Sequence, residues 1–292
     1  MEVITELDNL KIENAAVAIG KFNGIHKGHA GLIEGICKEE TPVVFMFEKD
    51  VNIKKILDQD EELDIFKSYG VKFLIKCSID DKLINMSPEQ FIKEILVEKL
   101  GISKLICGKD FKFGKGRAGN CDTLKKLSEK YNFSLNVTDD YCYKDVKICS
   151  SLICEEIEKG NMEDVMSMLG RPYSISGEVV EGKKLGRKLS FPTINIVPAE
   201  RKILPPFGVY YTKVEIDGIT YDGVTNVGDN PTVNDRKNVT VETNLPGQDK
   251  DFYGRKAKVM FYRFVRKQMK FDSVEALKEQ IAKDVECIRN SR

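Results

Sequence analysis

AAVAIGKFNGIHKGH, residues 15–29, decides how the first half of the chain folds. The apolar run at 15–19 has the length of a buried strand, and glycine and asparagine then turn the chain before HKGH at 26–29 starts an amphipathic segment. A strand that passes through a glycine-rich turn into a helix start leaves free backbone N–H groups and the positive end of the helix dipole aimed at one place. A phosphate fits there. The chain has only two histidines, His26 and His29. Their spacing puts both imidazoles on one face of a first helical turn, where they can hydrogen-bond the oxygens of a reacting phosphate. A metal pair is the rival reading, but no cysteine or carboxylate stands beside them at ligand spacing. Gly114 and Lys115 do not make a Walker-type phosphate loop, because Gly116 follows where serine or threonine is required.

Outward from this stretch the same grammar continues to about residue 170. PVVFMF at 42–47, VKFLI at 71–75 and SKLIC at 103–107 read as further buried strands, with helix-like stretches between them. SPEQFIKEILVEKL at 87–100 opens with Ser87 as N-cap, Pro88 at the first helical position and Gln90 completing a capping box. It ends before Gly101. This alternation predicts an α/β, Rossmann-like domain with a doubly wound parallel sheet. After LGRPY at 169–173 the pattern turns β-rich, with strands expected at 173–180, 207–216, 219–227, 239–245 and 256–265 and an amphipathic helix at 273–290. Asp217 and Gly218 mark a hairpin between β-branched runs. An antiparallel β-barrel closed by one helix fits, so the expected domains are 1–168 and 169–292.

With 292 residues the chain is long enough for two cores. Lys plus Arg and Asp plus Glu are balanced at 46 each, which leaves no global field to draw in nucleic acid or an anionic membrane. The eight cysteines are irregularly spaced with no CxxC pair, the pattern of reduced thiols. The N-terminus lacks the basic and apolar regions of a signal peptide, and no apolar run approaches the roughly 20 residues of a membrane span. The expectation is a cytoplasmic protein with small-molecule partners and no nucleic acid or membrane partner. Its oligomeric state is not legible.

HxGH after a first strand resembles the signature of the nucleotidyltransferase superfamily. GKDFKFGKGRAG at 108–119, SS at 150–151 and LGRPYSISGEVVEGKKLGRKLSFPTIN at 169–195 extend the likeness along nearly the whole chain. Together they resemble the bacterial bifunctional riboflavin kinase/FMN adenylyltransferase, or FAD synthetase, family. The resemblance implies that the N-terminal domain moves AMP from ATP to FMN. His26 and His29 are then catalytic, Gly20, Phe22, Asn23, Gly28, Ser150 and Ser151 bind ATP, and Asp110, Phe111 and Phe113 line the flavin site. The chain departs from the family pattern at Asn23, where Asp is usual, and at Leu152 and Glu155, which replace Thr and Arg in SSTxxR. The customary PHP is missing from FEKDVN at 47–52. An acidic residue where an arginine would neutralise a triphosphate predicts weak, altered or absent adenylylation.

In the second half the resemblance is closer. It implies that Gly182, Lys183, Gly186, Thr193 and Asn195 bind ATP, with Thr193 and Asn195 also holding Mg2+. A hydroxyl and an amide carbonyl beside a proline-fixed turn suit so hard a cation, although PTIN at 192–195 could be an ordinary turn. Alternation in VTVETNL sends Val239, Val241 and Thr243 to one face of a strand and Thr240, Glu242 and Asn244 to the other. Glu242 is the expected catalytic base, taking the proton of the riboflavin 5′-hydroxyl as it attacks the γ-phosphate; a solvated strand carboxylate is the plain alternative. Arg266, Lys270 and Phe271 resemble a flavin-side flap, with Gln268 where the family usually has Glu. ATP is the co-substrate, with riboflavin, FMN and FAD as substrates or products. A flavin- or nucleotide-binding regulator and a nucleotidyltransferase for another acceptor are the competing readings.

Overall fold

The computed structural model describes residues 1–48, 53–78, 81–181, 193–229, 239–248 and 250–289. They form two compact units, one of Met1–Ile53 with Gln59–Cys149 and one of Lys54–Asp58 with Ser150–Arg292.

In the first unit, strands β1 (Glu2–Ile4), β2 (Ala15–Gly20), β3 (Thr41–Glu48), β4 (Phe73–Ser78), β5 (Ile102–Gly108) and β6 (Ser134–Thr138) make one sheet in the order β1-β4-β3-β2-β5-β6. Every pairing is parallel. Such a sheet needs both faces covered, which is why β2 and β3 are almost continuously apolar and buried. One face carries Val17, Ile19, Phe45 and Leu105 into a core with Phe91, Ile95 and Leu124. Helix α1 (Lys27–Ile36) buries Leu32, Ile33 and Ile36, and α2 (Gln59–Ser68) buries Phe66. Short α3 (Asp81–Asn85) precedes α4 (Pro88–Gln90), where Ser87 and Gln90 form the expected capping box. The helix continues as a π-helical turn, Phe91–Val97. Helix α5 (Cys121–Tyr131) starts on an Asn120 cap and ends on left-handed Asn132. Strand β6 and the hairpin of β7 (Cys142–Tyr143) and β8 (Val146–Lys147) are weakly apolar and were not foreseen.

The switch point of this sheet lies between β2 and β5. From β2 the chain winds one way through β3 and β4, then returns to add β5 and β6 on the other side. Open α/β sheets bind ligands in the crevice outside the carboxyl ends of the two strands flanking such a reversal. Here those ends are Gly20 and Gly108.

In the second unit, α6 (Ser150–Lys159) and α7 (Met162–Leu169) precede β9 (Tyr173–Val180), β10 (Thr193–Ile196), β11 (Gly208–Ile216), β12 (Ile219–Asp229), β13 (Val239–Asn244) and β14 (Lys256–Lys267), and α8 (Val274–Arg289) ends the fold. The strands close a barrel in the order β10-β13-β12-β11-β14-β9, antiparallel throughout. Thr193 to Ile196, for which an ordinary turn had been the open alternative, is a strand, since Ile194 and Ile196 alternate into the core. Pairing of this strand with β9 closes the barrel, and α8 follows as the expected terminal helix. The Asp217–Gly218 hairpin stands as expected, both residues at positive φ (52° and 76°), as a type I′ turn requires.

The barrel interior packs Tyr173, Tyr210 and Phe261 around a line of buried hydroxyls. Thr212 and Thr225 share a hydrogen bond of 2.7 Å, and Thr225 and Thr243 one of 2.8 Å. Each hydroxyl is dry, so deleting the middle one strands polar groups on both sides. Thr225→Val, nearly isosteric, is expected to destabilise this unit by about 2 kcal/mol, measured as a lower urea midpoint with an unchanged denaturant slope.

Candidate functional sites

The turn that leaves β2 is strained. Phe22, Gly24 and Ile25 have φ of 48°, 83° and 40°, and Ile25 is β-branched and fully buried. Such backbone persists only where packing over-determines it, most often at working sites. The buried ring of Phe22 supplies that packing, lying 5.1 Å from the His29 ring and 5.9 Å edge-on from Phe66. Its side chain belongs to the core, so only its backbone is left for the ATP role expected of it. His26 has extended backbone as the N-cap of α1, so only His29 lies within the helix, contrary to the picture of both on one helical turn. The imidazoles nevertheless stack, with centroids 3.8 Å apart and planes 22° from parallel. Gly28 makes that possible: a Cβ there would stand 3.1 Å from the His26 ring.

Burial, and then the neighbouring His26, hold the His29 imidazole well below its ordinary pKa. Its Nδ1 is sealed from solvent without a hydrogen-bond partner among the described residues. A neutral His29 imidazole beside a helix N-terminus can hydrogen-bond a phosphate oxygen without itself repelling a metal–nucleotide complex.

From the end of β5, Asp110, Phe111 and Phe113 enter the same sheet edge. The Phe111 and Phe113 rings stack at 5.5 Å and 9°, and Phe47 at the end of β3 lies 6.4 Å from Phe111. Phe113 is buried in the core, and Phe111 is half-buried and packs against it. Sequence reading missed Phe47; its place at the end of a buried strand was the available signal. Asp110 is exposed and ion-paired to Lys147 at 2.7 Å, and Lys147 also meets Asp140 at 2.8 Å. Gly114, at φ 69°, admits no side chain, because a Cβ would lie 2.8 Å from the Pro88 nitrogen. The Cys107 thiol, pushed up to about 12 by burial and by Cys121 beside it, is no nucleophile at neutral pH.

Ser150 and Ser151 open α6, which clusters with the second unit, while the histidines belong to the first. Glu155 projects into solvent and pairs with Lys159 at 2.8 Å, and Lys159 also holds Glu156. Part of the negative charge expected to repel a triphosphate is therefore neutralised within the helix.

The barrel site is built by register. Asn195 and Glu242 are direct cross-strand partners, as are Thr193 and Asn244, and Asn226 faces Glu242 from its other side. Val241, Thr243, Ile194 and Ile196 point into the core, so Thr193, Asn195, Asn226, Glu242 and Asn244 share the outer face. The expected alternation along β13 holds. Thr193 Oγ1 donates to Glu242 Oε1 at 2.8 Å. That bond orients the carboxylate and leaves the lone pairs of the Thr193 hydroxyl open. Its oxygen and the Asn195 side-chain carbonyl are hard ligands of the kind magnesium accepts. Asn226 has no role in the sequence reading, and only strand pairing reveals its place. Gly182, Lys183 and Gly186 lie outside the described residues, as do Lys184 and Arg187. Arg266 is engaged with Asp284 of α8, and Phe271 lies over its guanidinium at 5.9 Å.

Comparison with known proteins gives the same two parts. The family model for FAD synthetase matches residues 8–152, and that for riboflavin kinase matches residues 169–292. A protein of Buchnera aphidicola subsp. Schizaphis graminum called bifunctional riboflavin kinase/FMN adenylyltransferase is 33% identical, covering 99% of this chain and 98% of its own. The chain belongs to the bifunctional riboflavin kinase/FMN adenylyltransferase family. Relatives of the same name match in Escherichia coli K12 (33% identical, covering 97% of this chain and 96% of that one) and Bacillus subtilis 168 (30%, covering 92% and 90%). A crystal structure from Streptococcus pneumoniae, described as a macrolide-efflux protein, matches with TM-score 0.88 at 26% identity over 99% of this chain and 98% of its own. Among the described residues here, no helix is long and apolar enough to cross a membrane.

The depressed His29 pKa has a consequence for this family member's stability. Unfolding lets His29 take up a proton below about pH 6.5, which the folded state resists, so stability falls as pH drops through that value. His29→Asn is expected to flatten the pH dependence of unfolding free energy between about pH 6.5 and pH 5 relative to wild type, as measured by denaturant titration at each pH.

Proposed function

We propose that residues 169–292 phosphorylate riboflavin at its 5′-hydroxyl with MgATP, and that residues 1–168 carry a nucleotide- and flavin-binding site that adenylylates FMN more slowly. The observation that carries the kinase reading is the Thr193–Glu242 hydrogen bond, with Asn195 as the cross-strand partner of the same carboxylate. Residues far apart in sequence converge there into one acid–base and oxygen-ligand face.

In this reading Glu242 accepts the proton of the riboflavin 5′-hydroxyl through the carboxylate oxygen that Thr193 does not hold. The alkoxide oxygen forms its bond to the γ-phosphorus as the bond to the β-phosphate oxygen breaks, giving FMN and ADP. Thr193 and Asn195 face the ATP phosphates and would hold magnesium, which supplies charge neutralisation on those phosphates. Gly182, Lys183 and Gly186 are assigned to the same phosphates on sequence grounds. Arg266 and Phe271 are assigned to the flavin side.

In the first half, His26 and His29 bind the reacting phosphates with the backbone of Gly20, Phe22, Asn23 and Gly28, while Ser150 and Ser151 are assigned to ATP on sequence grounds alone. Asp110, Phe111 and Phe113 serve the flavin. The slow adenylylation rests on Asn23 and Leu152 and on the missing arginine at Glu155, whose charge Lys159 offsets only in part. This reading has the protein working in the cytoplasm, which the free thiols among the described residues support.

Product analysis of riboflavin plus MgATP over time, resolving FMN from FAD, tests both halves. FMN is expected to accumulate ahead of FAD; no FMN overturns the kinase reading, and FAD appearing as fast as FMN overturns slow adenylylation. Glu242→Gln is expected to lower the kinase kcat by about 100- to 10,000-fold with riboflavin and ATP binding nearly unchanged, checked by turnover and by equilibrium titration.

A further inference from the structure

Arg266, near the end of β14, reaches α8 through a fork of hydrogen bonds. Its Nε donates to Asp284 Oδ1 and Oδ2 at 3.0 and 3.2 Å, Nη2 donates to Oδ2 at 2.7 Å, and Nη1 donates to the Lys267 carbonyl at 3.2 Å. Asp284 is only 4% exposed and also accepts from Gln280 Nε2 at 2.9 Å. On its other side the guanidinium lies under the Phe271 ring. Arg266 thus links α8 to the segment 268–271.

That segment is tied a second time. Gln268 Nε2 donates to Asn226 Oδ1 and to the Val227 carbonyl, both at 3.3 Å. Gly228 admits this approach, since a Cβ there would stand 2.1 Å from Gln268 Nε2. Asn226 is the cross-strand partner of Glu242. Helix α8 meets the same face: Val285, next to Asp284, packs against Val209 and Val224, and Val224 is the cross-strand partner of Asn244. The helix and the segment are therefore anchored beside the Thr193–Glu242 pair.

We propose that Arg266 and Asp284 are a positioning pair, which holds the Phe271 segment and α8 as the flavin-side wall next to Glu242, and that Arg266 acts through this pair without touching the flavin. The inference rests on the kinase reading above. A planar guanidinium whose fork is closed on a buried carboxylate cannot turn to a ligand without leaving that carboxylate unpaired. Lysine cannot reproduce the fork. Two roles for Arg266 then predict opposite effects of removing the charge at Asp284: a direct flavin ligand is set free, whereas a positioning residue loses its hold.

The test uses the full chain carrying Asp284→Asn, Arg266→Lys or both. Riboflavin and ATP KM and kcat are measured from FMN formation, and riboflavin affinity in parallel from quenching of flavin fluorescence. Each single variant is expected to weaken riboflavin binding and raise its KM by about tenfold or more, with ATP KM within about twofold and kcat changed less than riboflavin KM. The double variant is expected to be no worse than the weaker single one, because both remove the same link. Asp284→Asn with unchanged or tighter riboflavin binding overturns the proposal, as does a parallel rise in both KM values, which marks general loosening. If Asp284→Asn fails to fold, Asp284→Glu, which keeps the charge and shifts the fork by one methylene, is read by the same ratio of KM values. Wild type that binds riboflavin but makes no FMN overturns the kinase reading alone, leaving the pair to be judged by riboflavin affinity.

Discussion

The barrel site depends on the pairing of β10 with its two neighbours. The backbone hydrogen bonds from β10 to β9 close the sheet on itself, and those to β13 set Thr193 and Asn195 in register with Asn244 and Glu242. A slip of one residue would turn Ile194 and Ile196 outward and bury the polar pair, so the same register that fills the core also composes the reactive face. Stability and chemistry are thus carried by one constraint. The buried threonine hydroxyls reinforce it from inside, because Thr243 can meet Thr225 only in this alignment.

The first unit solves a different problem. A parallel sheet whose order reverses at β2 leaves a crevice at the carboxyl ends of β2 and β5, and the chain fills it from both sides. From β2 comes the strained turn with its stacked imidazoles, and from β5 come Asp110 and Phe111. Small residues do the steric work: Gly28 accommodates the His26 ring, and Gly31 passes under the Tyr141 hydroxyl, where a Cβ would be 2.8 Å away. The strain at Ile25 is maintained because it is buried beside the equally buried Phe22.

Much of this was legible before any coordinates. Buried parallel strands announce themselves as short apolar runs, and the Ser87 capping box and the Asp217–Gly218 turn follow from local chemistry that leaves little choice. Alternation alone placed Glu242 on the polar face of β13. Reading failed where local signals conflicted with tertiary demand. TINI follows a proline in sequence, which left an ordinary turn open, yet closing the barrel required it as a strand. Strand β6 has three of its five residues exposed at a sheet edge, so its apolar signal is diluted.

The sequence by itself determined the two-part architecture, the family and the kinds of side chain available for chemistry, since these are carried by periodicity and by motifs whose members are neighbours in the chain. Only the tertiary structure decided which of those side chains meet. That His26 caps a helix while stacking on His29, that Glu155 is paired with Lys159, that Asn226 faces Glu242, and that Arg266 is closed on Asp284 all depend on contacts between groups brought together by strand register, capping geometry or packing. The physical reason is that periodicity specifies which face of an element is buried, whereas the partner across that face is fixed by the backbone hydrogen bonds and steric fit of the assembled fold.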